Sequence, residues 1–372
     1  MDGFWTEAVL ITMRAIHFAA TTIAAGTLVF RTVIAAPVLR TEGDVAAVFR
    51  TQTQRLLWVS LLVTVISGAI WLLMQAASMS GRPFGDVAVL PTILEDTQIG
   101  RVAEIRFAMA IVIVLYLART RFAGGDWIAL TAGLGLVASL AWTGHAGATA
   151  GQAGDLHVAA DGLHLCAAAA WIGGLVSLLL FFIVARRTGS AAWISLARRA
   201  AERFSIMGIV SVAVLAVTGI VNACFLVGSF HALMATEYGQ LLLLKLGVFA
   251  AMLALAATNR LWLTPRLGLA SDGALRWLAR NSAIEFGLAL AALAIVGMLG
   301  TMHPAIHSTQ SSTEWQSGTG AEASSNRLTH ATSDHPLLVT DWRRTSSMTT
   351  IEGSAEIADL EQWTARQLAV KK

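Results

Sequence analysis

The sequence predicts an all-α polytopic membrane protein, a bundle of about eight transmembrane helices. Two observations carry this. The 372-residue chain is 56% hydrophobic and only 13% charged. A soluble domain cannot hide that much apolar surface in its core. The apolar residues also fall in long runs, several of which reach the roughly 20 residues a helix needs to cross hydrocarbon. These runs lack the two-residue alternation of a membrane β-barrel.

The first run, residues 9–38, is too long for the apolar region of a cleaved signal peptide, and Arg14 and His17 sit early in it. Residues 56–76 make the second. Glu104 and Arg106 enter the third, residues 102–117. The fourth, 128–143, carries Gly133 and Gly135, a composition that permits close helix packing in membranes. Residues 159–185, 204–227, 241–263 and 283–302 complete the set. Residues 1–307 are thus expected to form the membrane domain. Residues 308–372 differ: they are rich in Ser, Thr and Ala, hold Trp315, Trp342 and Trp363, and lack a long apolar run. A largely irregular tail or a small accessory region is expected there.

Basic residues orient the bundle. The first, third, fifth and seventh loops carry Arg40, Arg50 and Arg55; Arg119 and Arg121; Arg186, Arg187, Arg198, Arg199 and Arg203; and Arg260, Arg266, Arg276 and Arg280. The fourth and sixth loops carry no Lys or Arg. The positive-inside rule puts the odd loops in the cytoplasm and both termini in the periplasm. The second loop, with Arg82 and Arg101 beside Asp86, Glu95 and Asp96, is mixed in sign.

On that orientation His17, His145, His157, His164, His231, His303 and His307 lie on the outer side, as do His330 and His335 in the tail. His157, Asp161, His164, Ala168 and Trp171 recur every three or four residues, so a helix presents them as one stripe. His157 and His164 are about 10 Å apart along the axis. They suit two successive sites, or one site completed by another helix. Asp161, between them, is placed to hydrogen-bond an imidazole and fix its tautomer. His17 is expected to meet this stripe.

The last run ends in MLGTMHPAIH. Met298 and Met302 are one turn apart, His303 follows, Pro304 is expected to end or kink the helix, and His307 is expected to fold back toward the same mouth. Thioether plus imidazole suits Cu(I) far better than magnesium or calcium. Methionine is also ordinary lipid-facing filler, and a histidine at a helix end also serves as a cap, so each residue has a purely structural reading. Cys166 and Cys224 read as buried small hydrophobes rather than ligands or a disulfide. Lys245 is expected to snorkel near the outer mouth. Glu285 is expected to pair with Arg280 or Arg260, and Trp142, Trp171, Trp262 and Trp277 to anchor at the interfaces.

Several segments resemble the CopD-type copper resistance membrane proteins. They are RAIHFAATTIAAGTLVFR, GHAGATAGQAGDLHVAADGLHLCAAAAWIGGL, FSIMGIVSVAVLAVTGIVNACFLVG, TEYGQLLLLKLGVFAAMLALAATNR and IEFGLALAALAIVGMLGTMHPAIH. Together they span most of residues 9–307. The resemblance implies copper handling in the bacterial inner membrane, from periplasm toward cytoplasm, with a separate CopC-like periplasmic copper-binding protein as partner. Phosphate-binding loops are missing from the sequence, so an ATP-driven pump is not expected.

The leading reading is a copper-binding transport protein of the lipid bilayer. Its metal ligands would come from His164, His157, His145, His17, His303, Met302, Met298 and His307. No enzymatic activity and no nucleic-acid partner are expected. Two alternatives stand beside it. One is a haem-binding redox protein, with His17 and His164 as axial ligands, coupled to copper reduction or quinol oxidation. The other is a membrane scaffold or sensor that holds a partner on its tail.

Overall fold

A computed structural model describes residues 3–40, 43–118, 124–149, 151–267, 272–302 and 304–306. His303, His307 and the whole tail, with His330 and His335, lie outside the described residues. The long helices are α1 (Ala8–Val38), α2 (Val45–Ser80), α3 (Gln98–Ala118), α4 (Gly125–Thr143), α5 (Gly151–Thr188), α6 (Ala191–Leu226), α7 (Glu237–Arg266) and α8 (Gly273–Leu299). All but α3 are long and apolar enough to cross a membrane. Arg101, Glu104 and Arg106 set α3 apart. Short helices Leu90–Asp96 and Phe230–Ala235 join α2 to α3 and α6 to α7. The described residues contain no strand, and the chain is an all-α multi-pass membrane protein.

Several helices run past their apolar runs. α2 starts at Val45 rather than residue 56, α6 at Ala191 rather than 204, and α8 at Gly273 rather than 283. The apolar run marks where hydrocarbon begins, whereas the helix continues into the polar boundary as long as it is capped and packed. At α6 the Ser190 side chain accepts from the Trp193 backbone N–H and caps the helix. The extra turns bury Trp193, Leu196, Ala197 and Ala200 in the core. The rings of Phe30, Phe49, Phe181 and Trp193 pack in succession there, tilted or edge-on, with centroids 5.8, 5.1 and 5.4 Å apart. This aromatic core sits at the arginine-rich end. The opposite end, where α4, α6 and α8 finish and α5 and α7 begin, is the mouth.

α1 is the central helix, packing on α2, α4, α5 and α8. Its approach to α5 depends on two glycines. A Cβ on Gly26 would lie 2.1 Å from the Ala169 carbonyl oxygen, and one on Gly173 would lie 2.1 Å from that of Thr22. Lipid offers little hydrophobic drive for helix association, so such backbone contact is what holds helices together. A π-helical turn at Ala169–Gly173 brings Trp171 into the core, 2% exposed. Trp171 is therefore not an interfacial anchor, because the bulge turns its ring inward. Trp142, Trp262 and Trp277 are exposed.

The Arg106 charge of α3 is absorbed by neighbours, whereas Arg101 and Glu104 are exposed. Arg106 donates from Nε to Ser139 Oγ (3.0 Å) and from Nη2 to Thr143 Oγ1 (3.2 Å). The guanidiniums of Arg14 and Arg106 lie 5.1 and 5.4 Å from the Trp71 ring centre. Near the arginine-rich end, Arg31 donates to Tyr116 Oη (2.8 Å), which donates to Asp126. Polar groups inside a membrane survive by such pairing.

Candidate metal mouth

α5 and α6 run antiparallel, and the histidine stripe of α5 meets a matching row on α6. His157 stacks on Phe225, with centroids 4.5 Å apart and planes 7° from parallel. Asp161 Oδ1 accepts from Asn222 Nδ2 at 3.0 Å. His164 Nδ1 is 2.9 Å from Thr218 Oγ1, and that hydroxyl also donates to the Val214 carbonyl at 2.7 Å. With its proton committed there, the threonine accepts from His164, which leaves Nε2 as the lone-pair nitrogen.

By its place between the two histidines Asp161 is expected to orient an imidazole. The structure gives that work to threonines instead, because the carboxylate reaches Asn222 first. Thr149 Oγ1 lies 3.0 Å from His157 Nδ1, and Thr218 does the same for His164. The sequence did hold a signal for the α6 row: Thr218, Asn222 and Phe225 repeat the spacing of His157, Asp161 and His164. Thr149 had no comparable signal. Lys245 on α7 does not snorkel away. It lies within electrostatic range of both Asp161 and His164, and Asn222 Oδ1 is buried beside them without a hydrogen-bond partner.

At the mouth, His145, Thr149, His157, Phe225, Thr301 and Met302 line a cavity of about 580 Å³. His145 sits on a short 3₁₀ turn, His145–Ala148, beyond α4. Its Nε2 donates to the Leu299 carbonyl at 3.2 Å, tying this turn to the end of α8. The lone pair of a neutral His145 is then on Nδ1. An adjoining cavity of about 530 Å³ is lined by Glu237, Gln240, Met298 and Met302, so Met302 borders both spaces. Two borderline imidazoles and a soft thioether around one opening match a soft ion such as Cu(I). Among the described residues no three His, Cys, Asp or Glu side chains converge as a metal site.

The remaining candidates are elsewhere. His17 is 3% exposed and turns to α2, where Nδ1 meets the Thr64 carbonyl and Ser67 Oγ, both at 3.1 Å. Its Nε2 is buried without a partner, and its ring lies edge-on to Trp71 with centroids 5.5 Å apart. The expected meeting of His17 with the α5 stripe does not occur, because α1 presents His17 to α2 while α5 presents His164 to α6. Cys166 and Cys224 are free, and Cys224 is exposed. Glu285 is 2% exposed and makes no ion pair with Arg280 or Arg260, since Arg260 Nη1 donates to Ser205 Oγ at 2.9 Å and Arg280 covers the Trp277 ring.

Fold and mouth together define a multi-pass membrane protein with soft-metal donors gathered at one end. The sequence narrows this class. Residues 5–155 match the copper resistance protein D-like N-terminal domain, and residues 198–299 match copper resistance protein D. Copper resistance protein D of Pseudomonas syringae pv. tomato is 31% identical over 257 residues, 66% of this chain and 81% of that protein. The chain belongs to the copper resistance protein D family. It is also 33% identical to the Escherichia coli inner membrane protein YebZ over 165 residues, 44% of this chain and 55% of the relative. Copper transport protein CutJ of Bacillus subtilis is 29% identical over 217 residues, 56% of this chain and 39% of the relative.

Proposed function

We propose that this protein binds copper at the mouth of an inner-membrane bundle and passes it from the periplasm toward the cytoplasm. The observation that carries the reading is the convergence of His145, His157 and Met302 on one cavity. The family membership and the copper-related names of two relatives support it. Copper is the cargo here. His164, about two turns deeper than His157 on the same face, is the next donor along α5. The arginine-rich loops face the cytoplasm and both termini face the periplasm. A separate CopC-like protein delivers the ion, and the chain carries out no covalent reaction. Metal analysis with absorption spectroscopy on copper-loaded, detergent-purified protein tests the reading. Bound copper without a Soret band is expected. A Soret band, or a protein that retains no copper, contradicts it.

A further inference from the structure

α6 packs on α5 and α7 packs on α8, while α6 and α7 meet mainly near the arginine-rich end, where Arg260 reaches Ser205. Between them lies a cavity of about 450 Å³. Its floor includes Trp171 and Leu175 of α5 and Glu285 of α8, and its walls include Phe204 and Ile209 of α6 and Leu261 of α7. Ile209 and Leu261 are 53% and 64% exposed, so the cavity opens sideways, toward lipid. α7 is the outermost of these helices, with only 6% of its apolar window buried.

At the floor Glu285 Oε1 is buried and has no hydrogen-bond partner. A carboxyl oxygen in that position is costly to leave unpaired. The Trp171 indole N–H reaches the Glu285 carboxyl, Arg260 is engaged with Ser205, and Asn259 Oδ1 accepts from Asn281 Nδ2 at 3.0 Å, yet Oε1 is left unpaired. The groove gives a donor arriving through the bilayer, on a body that suits apolar and aromatic walls, access to that oxygen. Pockets of this kind, mainly apolar with a few placed polar groups, take small molecules.

We propose that this groove binds a lipid-soluble aromatic alcohol of the hydroquinone class, its hydroxyl donating to Glu285 and its ring against Trp171 and Phe204. A flat ring fits the aromatic floor better than a phospholipid ammonium, whose strong hydration makes it expensive to bring onto a buried floor. The site is separate from the copper mouth, and its test does not depend on copper.

The test is saturable binding of a decyl-substituted benzohydroquinone to the purified full-length protein under reducing conditions, followed by calorimetry. Gly208 lines the groove, and a Cβ there would meet nothing within 4 Å. Gly208→Leu therefore places a bulky side chain in the groove at a position with room for its Cβ. Glu285→Ala should bind about ten-fold more weakly, the loss of one buried hydrogen bond. Gly208→Leu should abolish binding. Glu285→Gln, which keeps an uncharged acceptor, should retain most of it. No saturable binding to the wild type, or wild-type affinity in Gly208→Leu, overturns the proposal. So does a phospholipid that co-purifies with the wild type and is lost in both Glu285→Gln and Gly208→Leu, which would assign the groove to a charged head. If Glu285→Ala fails to fold, the Gly208→Leu result decides alone.

Discussion

The His157 ring lies flat against Phe225, with 4.5 Å between centroids and 7° between planes, while Thr149 Oγ1 sits 3.0 Å from its Nδ1. One face and one nitrogen of the imidazole are thus fixed before any ion arrives. The nitrogen left for a metal is Nε2. An imidazole held this way binds with little further ordering cost.

Thr149→Val keeps the shape of the side chain and removes its hydroxyl. Copper affinity should fall by about 10-fold or more, the effect typical of losing an outer-shell partner, with helix content and thermal stability nearly unchanged. Phe225→Leu should give a smaller loss. Competition titration against a colorimetric Cu(I) chelator measures both, and wild-type affinity in Thr149→Val would show that His157 is not a ligand held by this contact.

His164 is expected to matter for passage more than for capture. Its partner Thr218 lies deeper on α6. His164→Ala should leave copper binding at the mouth within a few-fold of wild type and slow copper entry into proteoliposomes. A mutant that loses binding as severely as His157→Ala would place the two imidazoles in one site.

Gly26 and Gly173 test the packing. Leucine at Gly173 would drive its Cβ into the Thr22 carbonyl. Backbone cannot rotate aside as a side chain does, so the destabilisation should exceed the ~1–3 kcal/mol of ordinary overpacking. The variant should accumulate poorly or unfold at lower temperature in detergent, whereas Gly208→Leu should behave as wild type. Normal stability of Gly173→Leu would mean that α1 and α5 are further apart than described.

Orientation is tested with single cysteines in a background lacking Cys166 and Cys224. Ser229 lies at the mouth end, where its side chain caps Phe230–Ala235, and the exposed Ser190 lies between α5 and α6 at the other end. An impermeant maleimide added to cells with a permeabilised outer membrane should label Ser229→Cys and spare Ser190→Cys. The reverse pattern would turn the bundle over.

Much of this was legible in the sequence because membrane helices obey few rules. Seven of the eight runs fall on helices long and apolar enough to cross a membrane, the third being the exception, and the stripe from His157 to Trp171 followed from helical spacing. What the sequence hid was rotation and reach. Nothing local shows that α1 turns His17 toward Thr64 and Ser67 rather than toward α5, since that depends on which helix fills the space beside it. Trp171 looked interfacial because a π-helical turn, which re-aims the ring, leaves no compositional mark. Glu285 looked like half of an ion pair. Arg280 is close in sequence and Arg260 lies on the preceding helix, but they are committed to Trp277 and Ser205. The convergence of His145, from beyond α4, with Met302, from beyond α8, depends on the hydrogen bond from His145 to Leu299, which joins residues far apart in the chain.

The most direct test of the copper mouth is the Cu(I) affinity of purified protein in which His145 and His157 are both alanine and Met302 is leucine. These positions surround one cavity, and the replacements keep the helices apolar. A folded protein whose Cu(I) affinity is lower by about 100-fold or more is expected, since losing ligands should exceed the loss of their supports. Cu(I) affinity equal to that of the wild type in the triple variant would contradict the copper assignment.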